Sequence, residues 1–397
     1  MQQNLGSKRI VSIDIFRALV MFLMIFVNDF WTLSGVPEWL QHKDAFEDGI
    51  GFSDVIFPAF LFIVGLSIPF AIKSRRDKLQ SNTTILKHVF KRAFALIIMG
   101  FFMVNFENIN SEGMIINKDL WEIIMVFAIF LVWLNYKPFK FLGKKSIALF
   151  QSTGIVLFVF LALIYQGGLV PNLGWMKVYW WGILGLIGWA YFFNVIIYLY
   201  LGAKFFALVI AFIVFQLLNV QEFFSATQIT PFKLIVSASM HASVCAGMII
   251  GRMLLNYQKI NKTYLFIIGS IIFTFVIIVY GFALRPYWGG FSKIRATPSW
   301  ISVCIGISAL SFLIIYIIVD KFNFRIWAKP IKIAGTNTLT CYVMPYLVYP
   351  IMIMTGTLYL PESIINGNKG LLKSLLFSFV IIGIVWILNK LKIKLKI

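Results

Sequence analysis

The sequence predicts an all-helical protein that crosses a membrane about twelve times, and three observations support this fold class. First, 60% of the 397 residues are hydrophobic and 13% are charged, whereas about a quarter of the residues of soluble domains are charged. Second, a bilayer-spanning helix needs about 20 mostly apolar residues, and the chain contains twelve apolar runs near this length. Third, Lys and Arg are unevenly distributed between the linking segments. This composition excludes a soluble enzyme, a disordered chain and a disulfide-held secreted domain.

The apolar runs define the predicted spans. They fall near residues 13–31, 54–72, 88–104, 119–135, 147–165, 178–200, 204–219, 233–255, 263–283, 299–319, 337–359 and 371–389. The first run lacks the short apolar core and small-residue cleavage site of a signal peptide, so we interpret it as a retained span. Only residues 201–204 separate the sixth and seventh runs, and the prediction is therefore ten to twelve spans.

The linking segments differ in charge, and this difference predicts the orientation. The chain has 35 Lys and Arg against 15 Asp and Glu, a net charge of +20. Segments on the side of the N-terminus carry 25 of these cations, and segments on the other side carry nine. Since cytoplasmic loops are enriched in Lys and Arg, we predict that both termini are cytoplasmic. The Lys-rich stretches at 73–92, 137–145 and 390–396 are interpreted as topology determinants that also contact anionic lipid headgroups.

The predicted outward loop at 32–53 has the opposite character. It contains one lysine, His42 and four acids, namely Glu38, Asp44, Glu47 and Asp48. A polar loop of this length is commonly functional. An imidazole that titrates near neutrality can take a proton from an amine or hydroxyl nucleophile, so His42 is a candidate general base.

Polar residues in the first span form a second candidate set. Asp14, Arg17 and Asn28 lie on one helical face with Met21 and Met24. Asp14 and Arg17 are spaced to pair at i,i+3, which favours an ion pair that anchors the helix. Asn28 lies about 21 Å further along the helix at 1.5 Å per residue. Asn28 and the adjacent Asp29 therefore lie near the outer end of the first span. They are either functional groups or polar residues of the kind commonly found where a span ends.

The start of the second span combines a carboxylate with a proline. Pro58 has no amide proton, so it leaves the carbonyl of Asp54 without its usual i→i−4 partner. The Asp54 side chain can cap the helix start. Two interpretations remain open here: Asp54 caps the helix only, or it also orients a catalytic group.

Two further segments are candidate ligand contacts. The outward loop at 284–298 carries Arg285, Lys293 and Arg295 beside Trp288, against the charge rule. This pattern is typical of an anionic or sugar ligand, or of interfacial anchoring. On the inner side, residues 335–338 form the start of the eleventh span and follow two lysines. A helix N-terminus near cations favours the binding of a phosphate group. The sequence contains no metal-ligand spacing, P-loop or dinucleotide fingerprint, and no repeat of the kind found in many transporters.

Scattered motifs resemble one family of membrane enzymes. They are Ser12-Ile13-Asp14-Ile15-Phe16-Arg17 with Val27-Asn28, the Asp-x-x-x-Pro-x-Phe-x-Phe-x-x-Gly segment from Asp54 to Gly65, Gly182 to Gly185 before Tyr191, Lys293 to Ser299-Trp300, and Gly335 to Leu339 with Tyr342. Together they are similar to the heparan-α-glucosaminide N-acetyltransferase family, in a bacterial branch. The resemblance extends from residue 9 to about 350 and is strongest in the first two spans.

The resemblance implies a function and a set of site residues. The family transfers an acetyl group from cytoplasmic acetyl-CoA to an amino sugar on the far side of the membrane. Asn28 and His42 correspond to its catalytic asparagine and histidine, and Asp54 to its second-span aspartate. His42 and Asp54 are twelve residues apart, whereas the family usually has ten, which indicates a small loop insertion. Candidate acetyl-CoA contacts are Arg17, Lys332, Thr336 and Asn337, and candidate acceptor contacts are Asp29, Trp288, Lys293 and Arg295.

We therefore predict a single transmembrane acyltransferase domain over residues 1–397, with its signature at 9–72 and its C-terminal spans at 233–397. We expect it in a bacterial inner membrane, with lipid and a glycan or small-molecule acceptor as partners, no nucleic acid and no metal. Self-association is left open. His42 acts as general base or carries the acetyl group covalently. The alternatives are a sugar O-acyltransferase of the broader membrane acyltransferase group, and a transporter or flippase for a sugar or lipid-linked glycan.

Overall fold

The computed structural model describes residues 10–168, 172–202, 204–224 and 237–397, most of which are helical. The main helices are α1 (Val11–Asn28), α2 (Phe52–Arg76), α3 (Asn82–Glu107), α4 (Lys118–Trp133), α5 (Lys144–Leu163), α6 (Gly182–Leu201), α7 (Phe205–Phe224), α8 (Ala238–Lys259), α9 (Thr263–Leu284), α10 (Pro298–Tyr316), α11 (Lys332–Thr336), α12 (Thr338–Val343), α13 (Pro345–Met354), α14 (Glu362–Ile365) and α15 (Gly367–Lys390). Within these described ranges, extended backbone forms only isolated bridges. The predicted all-helical class is confirmed.

Each of the twelve predicted runs overlaps a helix, although residues 178–181 and 355–359 at the ends of two runs are not helical and residues 233–236 of the eighth run lie outside the described residues. Nine of the described helices are long and apolar enough to cross a membrane, and 205–220 and 338–354 are shorter apolar helices. The remaining predicted span, α4, has 16 residues. The protein is therefore a multi-pass helical membrane protein. The number of spans and the orientation of the termini stay predictions.

The separation of the sixth and seventh runs agrees with the prediction, whereas the eleventh run differs from it for a local reason. The sixth and seventh runs are separate helices, since α6 ends at Leu201 and the Lys204 N–H donates to the Leu201 carbonyl in a turn. The eleventh run is divided into α12 and α13 at Pro345, because proline lacks the amide proton that would continue the helical hydrogen bonds.

The described residues divide into two compact units. The first contains residues 10–24, 38–82 and 193–336, and the second contains 25–37, 83–192 and 337–397. Each is described separately below.

The core of the first unit is built on α2, α8 and α10. A Cβ atom at Gly65 of α2 would lie 1.8 Å from the Val244 carbonyl oxygen, and one at Gly247 of α8 would lie 2.0 Å from the Phe62 carbonyl oxygen. Only glycine allows two helix backbones to approach so closely. Trp300 of α10 is fully buried in the same unit. This packing holds α2 tightly against α8.

In the second unit, α3 packs against the first half of α6 through small residues. A Cβ atom at Gly188 would lie 2.8 Å from the Ala93 carbonyl oxygen, and one at Gly100 would lie 2.5 Å from the Gly185 nitrogen. The three-residue glycine spacing in α6 therefore serves close helix packing. Trp121 of α4 is fully buried and donates its indole N–H to the Leu161 carbonyl of α5, 3.2 Å away.

Candidate active site

The loop that carries His42 is fastened to the first turn of α2. The Phe52 N–H donates to the Trp39 carbonyl at 2.8 Å. The Ser53 hydroxyl donates to the Leu40 carbonyl at 2.5 Å, and the Ser53 N–H reaches the same oxygen at 3.2 Å. The first amide groups of a helix have no partner within the helix, so the loop supplies them. The position of the chain just before His42 is thereby fixed.

Asp54 lies in this first turn and is 1% exposed. Its Oδ2 accepts hydrogen bonds from the Gly51 N–H at 3.0 Å and the Lys43 N–H at 3.2 Å. Its Oδ1 lies 2.7 Å from Nδ1 of His42. The carboxylate therefore holds the loop against the helix start and also contacts the imidazole, which is the geometry of the second interpretation from the sequence.

This contact determines which ring nitrogen of His42 is available. A carboxylate oxygen only accepts hydrogen bonds, so Nδ1 carries a proton and donates a hydrogen bond to Asp54, and in the neutral imidazole the lone pair is then on Nε2. The His42 side chain is 46% exposed. An imidazole held in this way can take a proton at Nε2 from a group that approaches from outside.

The carbonyl that Pro58 frees also has a partner. Cys304 of α10 is buried, and its Sγ lies 3.9 Å from the Asp54 carbonyl oxygen. The Pro58 carbonyl accepts a hydrogen bond from the Ser243 hydroxyl of α8 at 2.9 Å. The first turns of α2 are thus in contact with both neighbouring helices, which supports the position of Asp54.

A second loop brings a cation to the imidazole. Lys293 Nζ lies 3.1 Å from Nδ1 and 3.3 Å from Nε2 of His42, and 4.0 Å from Oδ1 of Asp54. Burial lowers the pKa of Lys293, and the Asp54 charge opposes this shift. A carboxylate, an imidazole and an ammonium group therefore lie together, and 239 residues of chain separate the first from the last.

Two contacts join the loop at 38–51 to the loop at 285–297. Asp48 accepts from Arg285 Nε at 2.9 Å and from the Phe291 N–H at 2.7 Å. Partial burial opposes ionisation of Asp48, but these two donors outweigh it and hold its pKa below the ordinary value. Arg295 donates through Nε to the Ala45 carbonyl at 2.8 Å.

The predicted acceptor contacts in the second loop have structural roles within the first unit. The Arg295 guanidinium also donates to the Gly289 carbonyl and lies over the Phe46 ring, with its carbon 5.4 Å from the ring centroid. Trp288 is half-buried, and its backbone N–H donates to the Leu284 carbonyl at 3.1 Å. Their roles in acceptor binding stay predictions, as does that of Lys293.

Asn28 and Asp29 belong to the second unit. Asn28 is the exposed last residue of α1. Asp29 is completely buried, and its carboxylate accepts hydrogen bonds from Tyr349, Lys373 and Ser374. Catalysis by Asn28 and acceptor binding by Asp29 stay predictions, and the sequence interpretation missed all three partners of Asp29.

Arg17, a predicted acetyl-CoA contact, is bound within the first unit. Its NH2 donates to the Ser67 hydroxyl of α2 at 2.6 Å, and its NH1 lies 3.4 Å from both Asp14 and the Gly335 carbonyl. The predicted pair with Asp14 is therefore present. A Cβ atom at Gly335 would lie 2.2 Å from the Asp14 carbonyl oxygen, so close packing on α1 accounts for that glycine.

The other predicted acetyl-CoA contacts lie close to Gly335 in the sequence. Lys332 and Thr336 are exposed ends of α11 in the first unit, and the Thr336 hydroxyl donates to the Ile333 carbonyl at 3.2 Å. In the second unit, the Asn337 amide donates to the Asn389 side chain at 3.1 Å. Their roles toward acetyl-CoA stay predictions.

Comparison with known proteins identifies relatives of the N-terminal part. Residues 9–110 match the family model described as heparan-alpha-glucosaminide N-acetyltransferase, catalytic. The human heparan-alpha-glucosaminide N-acetyltransferase is 34% identical over 97 residues, and the mouse protein is 32% identical over 100 residues. These matches cover 24% and 25% of this chain and 14% of each relative. The resemblance predicted from the sequence is confirmed for this quarter of the chain, which contains Asn28, His42 and Asp54.

Proposed function

We propose that the protein is a multi-pass membrane acetyltransferase that moves an acetyl group from acetyl-CoA to the amine of an amino sugar or glycan. The observation that carries this proposal is the 2.7 Å bond between His42 Nδ1 and Asp54 Oδ1. Both residues lie in the segment that is similar to the catalytic region of heparan-alpha-glucosaminide N-acetyltransferases. The proposal extends from that segment to the whole chain.

In the proposed reaction, His42 acts as the general base. Its Nε2 takes a proton from the acceptor amine as the amine nitrogen attacks the thioester carbonyl carbon. A carbon–nitrogen bond forms, the carbon–sulfur bond breaks, and the imidazolium returns the proton to the departing thiolate. The products are the acetamide and free CoA, and no other reactant is needed.

Asp54 acts on the imidazole rather than on the substrate. Its carboxylate fixes the ring orientation and the position of the ring proton, and it stabilises the imidazolium that forms during transfer. Because Asp54 is buried and its two oxygens are held by Gly51, Lys43 and His42, it cannot turn away from the ring without breaking the loop contacts.

A purified-protein assay tests the proposal. The protein in detergent, with acetyl-CoA and a panel of amino sugars that includes glucosamine, is expected to release free CoA. His42→Gln and Asp54→Asn are expected to lower this rate by about 10²–10⁴-fold, the range for removing a general base. His88→Gln is the matched control, because His88 lies on α3 outside these contacts, and it is expected to keep the wild-type rate.

Other outcomes identify the alternatives. Absence of CoA release with every acceptor, together with sugar flux in vesicles, favours the transporter and rejects the acetyltransferase. Release with hydroxyl acceptors only indicates a sugar O-acyltransferase. The covalent route predicts that intact-protein mass spectrometry without acceptor detects one added acetyl group in the wild type but not in His42→Gln. Direct transfer predicts no such adduct.

The proposed sidedness places His42 outside and acetyl-CoA in the cytoplasm of a bacterial cell. Asp44 is exposed in the His42 loop, and the three native cysteines are buried and free. An Asp44→Cys variant in intact cells is therefore expected to react with a membrane-impermeant maleimide. Protection in cells, followed by labelling after permeabilisation, would reverse the proposed orientation.

A further inference from the structure

The ammonium group of Lys293 lies over the face of the His42 ring. Nζ is 3.1 Å and 3.3 Å from the two ring nitrogens. If Nζ lay in the plane of the ring at these two distances, it would overlap either the carbon between the two nitrogens or the ring bond opposite that carbon. Nζ therefore lies above the plane. Ring hydrogen bonds form in the plane, so these contacts leave the Nδ1 bond to Asp54 and the Nε2 lone pair in place. Lys293 therefore places a positive charge beside Nε2 and leaves the in-plane hydrogen-bonding position of Nε2 open.

Neighbouring charged groups in the first unit have other close partners. Lys43 Nζ pairs with Glu47 at 2.5 Å, Arg285 pairs with Asp48, and Arg295 bonds backbone carbonyls of both loops. Lys293 is 4.0 Å from Asp54 Oδ1, which is beyond hydrogen-bonding distance. Its side chain is 28% exposed. Its ammonium protons therefore remain available to an oxygen that arrives next to Nε2.

We infer that Lys293 is a catalytic residue that stabilises the negative charge on the acetyl carbonyl oxygen during transfer. This inference rests on the proposed function. The attacking amine must lie within hydrogen-bonding distance of Nε2 to lose its proton, and the carbonyl carbon that it attacks is one bond further. When the carbon–nitrogen bond forms, the carbonyl π electrons move to oxygen, and that oxygen lies within reach of Nζ. When the carbonyl re-forms, the thiolate leaves and the charge on oxygen disappears.

A different role for Lys293 follows from the charge pattern of its loop, namely binding an anionic group of the acceptor. The two roles have different kinetic consequences. An interaction made only in the transition state lowers kcat and kcat/KM equally when it is removed, whereas an interaction with the bound acceptor raises KM. Acceptors with and without a fixed negative charge therefore distinguish them.

The experiment compares Lys293→Met and Lys293→Arg with the wild type on glucosamine and glucosamine 6-sulfate. Lys293→Met is expected to lose about 10²–10³-fold in kcat on both acceptors, as for the loss of one oxyanion contact, with acceptor KM within about twofold. Lys293→Arg keeps the charge and is expected to recover at least tenfold of this loss. Lys369→Met removes an exposed lysine elsewhere and is the matched control. If Lys293→Met does not fold, Lys293→Gln replaces it.

Each outcome has one meaning. A wild type that releases no CoA overturns the proposed function and this inference together. An active wild type with an unchanged Lys293→Met overturns the inference alone. A loss confined to the sulfated acceptor, or expressed as a higher KM, also overturns it and assigns Lys293 to acceptor binding. A loss with no recovery in Lys293→Arg rejects the charge as the cause.

Discussion

Asp29 and Lys373 form a buried ion pair in the second unit, with Nζ 2.8 Å from Oδ2 and 3.1 Å from Oδ1. Asp29 is 0% exposed, and Tyr349 and Ser374 donate to the same carboxylate at 2.7 Å and 2.6 Å. Lys373 Nζ also donates to the Thr32 hydroxyl at 2.7 Å. The pair therefore joins the turn after α1 to α15, and hydrogen bonds satisfy both charged groups.

Removing one member of this pair is expected to destabilise the protein strongly. Lys373→Met leaves the Asp29 charge buried without its counterion, which typically costs about 3–5 kcal/mol. The double variant Asp29→Asn with Lys373→Met removes both charges and is expected to cost less than Lys373→Met alone. Thermal unfolding in detergent measures this order. A double variant at least as unstable as the single one would contradict the role of the charge.

Lys369→Met is the control for this comparison. Lys369 lies on the same helix four residues earlier and is exposed. Exposed substitutions away from special features usually change stability by less than about 0.5 kcal/mol, so its melting temperature is expected to stay near that of the wild type. An equal loss in both variants would indicate that α15 is generally sensitive to loss of a lysine.

The same pair shows what the sequence could and could not predict. Ionisable residues are rare in this chain, so Asp29, His42 and Asp54 were recognisable as candidates from their positions alone. Lys373 lies within the predicted run at 371–389 and in α15, but the sequence did not identify it as a candidate. The partner lies 344 residues away from Asp29, and neither periodicity nor local charge pattern identifies such a pair.

The His42 site had a similar limit. An orienting role for Asp54 was one of the two interpretations that the sequence left open, and Asp54 is only twelve positions from His42. The contact of Lys293 with His42 joins residues 251 positions apart. The sequence indicated only that Lys293 is a cation in an outward loop, where few cations are found. Helices were predictable throughout because long apolar runs determine them, whereas the pairing of loops depends on how the helices pack.

The Asp48 contacts are expected to make the His42 loop sensitive to acid. Because the pKa of Asp48 is held below its ordinary value by Phe291 and Arg285, the contacts are fully present above the ordinary aspartate pKa. They are lost as pH falls through the lower, folded-state pKa. The rate of pepsin cleavage measures this change, because Phe46 and Trp39 in the loop are exposed. Asp48→Asn is expected to be cut faster than the wild type near about pH 4, and the difference is expected to shrink toward about pH 2.

The wild type itself supplies the control for this measurement. Pepsin activity changes with pH, so the ratio of the two cleavage rates is compared at each pH rather than the rates. A ratio that stays constant from about pH 4 to about pH 2 would mean that ionisation of Asp48 does not hold the loop.

The glycine contact between α2 and α8 predicts a large asymmetry among Gly→Ala variants. Gly65→Ala would place a methyl group 1.8 Å from the Val244 carbonyl oxygen, so the helices must separate, and overpacking of this kind costs about 1–3 kcal/mol. Gly383 in α15 has open space around its Cβ position. There, alanine favours the helix by about 0.5–1 kcal/mol, so Gly383→Ala is expected to melt at or above the wild-type temperature. Equal melting temperatures for the two variants would reject close packing as the reason for Gly65.

A cavity in the second unit makes the predicted lipid contact of the Lys-rich stretches testable. Its volume is about 410 Å³, and Lys137, Lys140 and Lys396 line it beside Tyr136 and Phe139. The C-terminal segment forms one wall, since the Asn135 N–H donates to the Lys394 carbonyl at 2.8 Å. Burial and the neighbouring charge of Lys396 lower the pKa of Lys394. The sequence has no acid between Glu122 and Glu222 or after Glu362, so these segments provide no acid of their own to pair with the lysines.

We expect the headgroup of an anionic phospholipid to provide a negative charge beside these lysines, and its acyl chains to contact the aromatic side of the cavity. Native mass spectrometry of the protein titrated with phosphatidylglycerol is expected to detect binding that phosphatidylcholine and inorganic phosphate do not displace. Each lysine near a headgroup contributes about 1 kcal/mol, so Lys137→Gln with Lys140→Gln is expected to weaken binding by about 10–30-fold. Lys144→Gln with Lys145→Gln removes the same charge from the next positions, which do not line the cavity, and is expected to weaken binding less. Equal losses in the two double variants would mean that diffuse positive charge, and not this cavity, attracts the lipid.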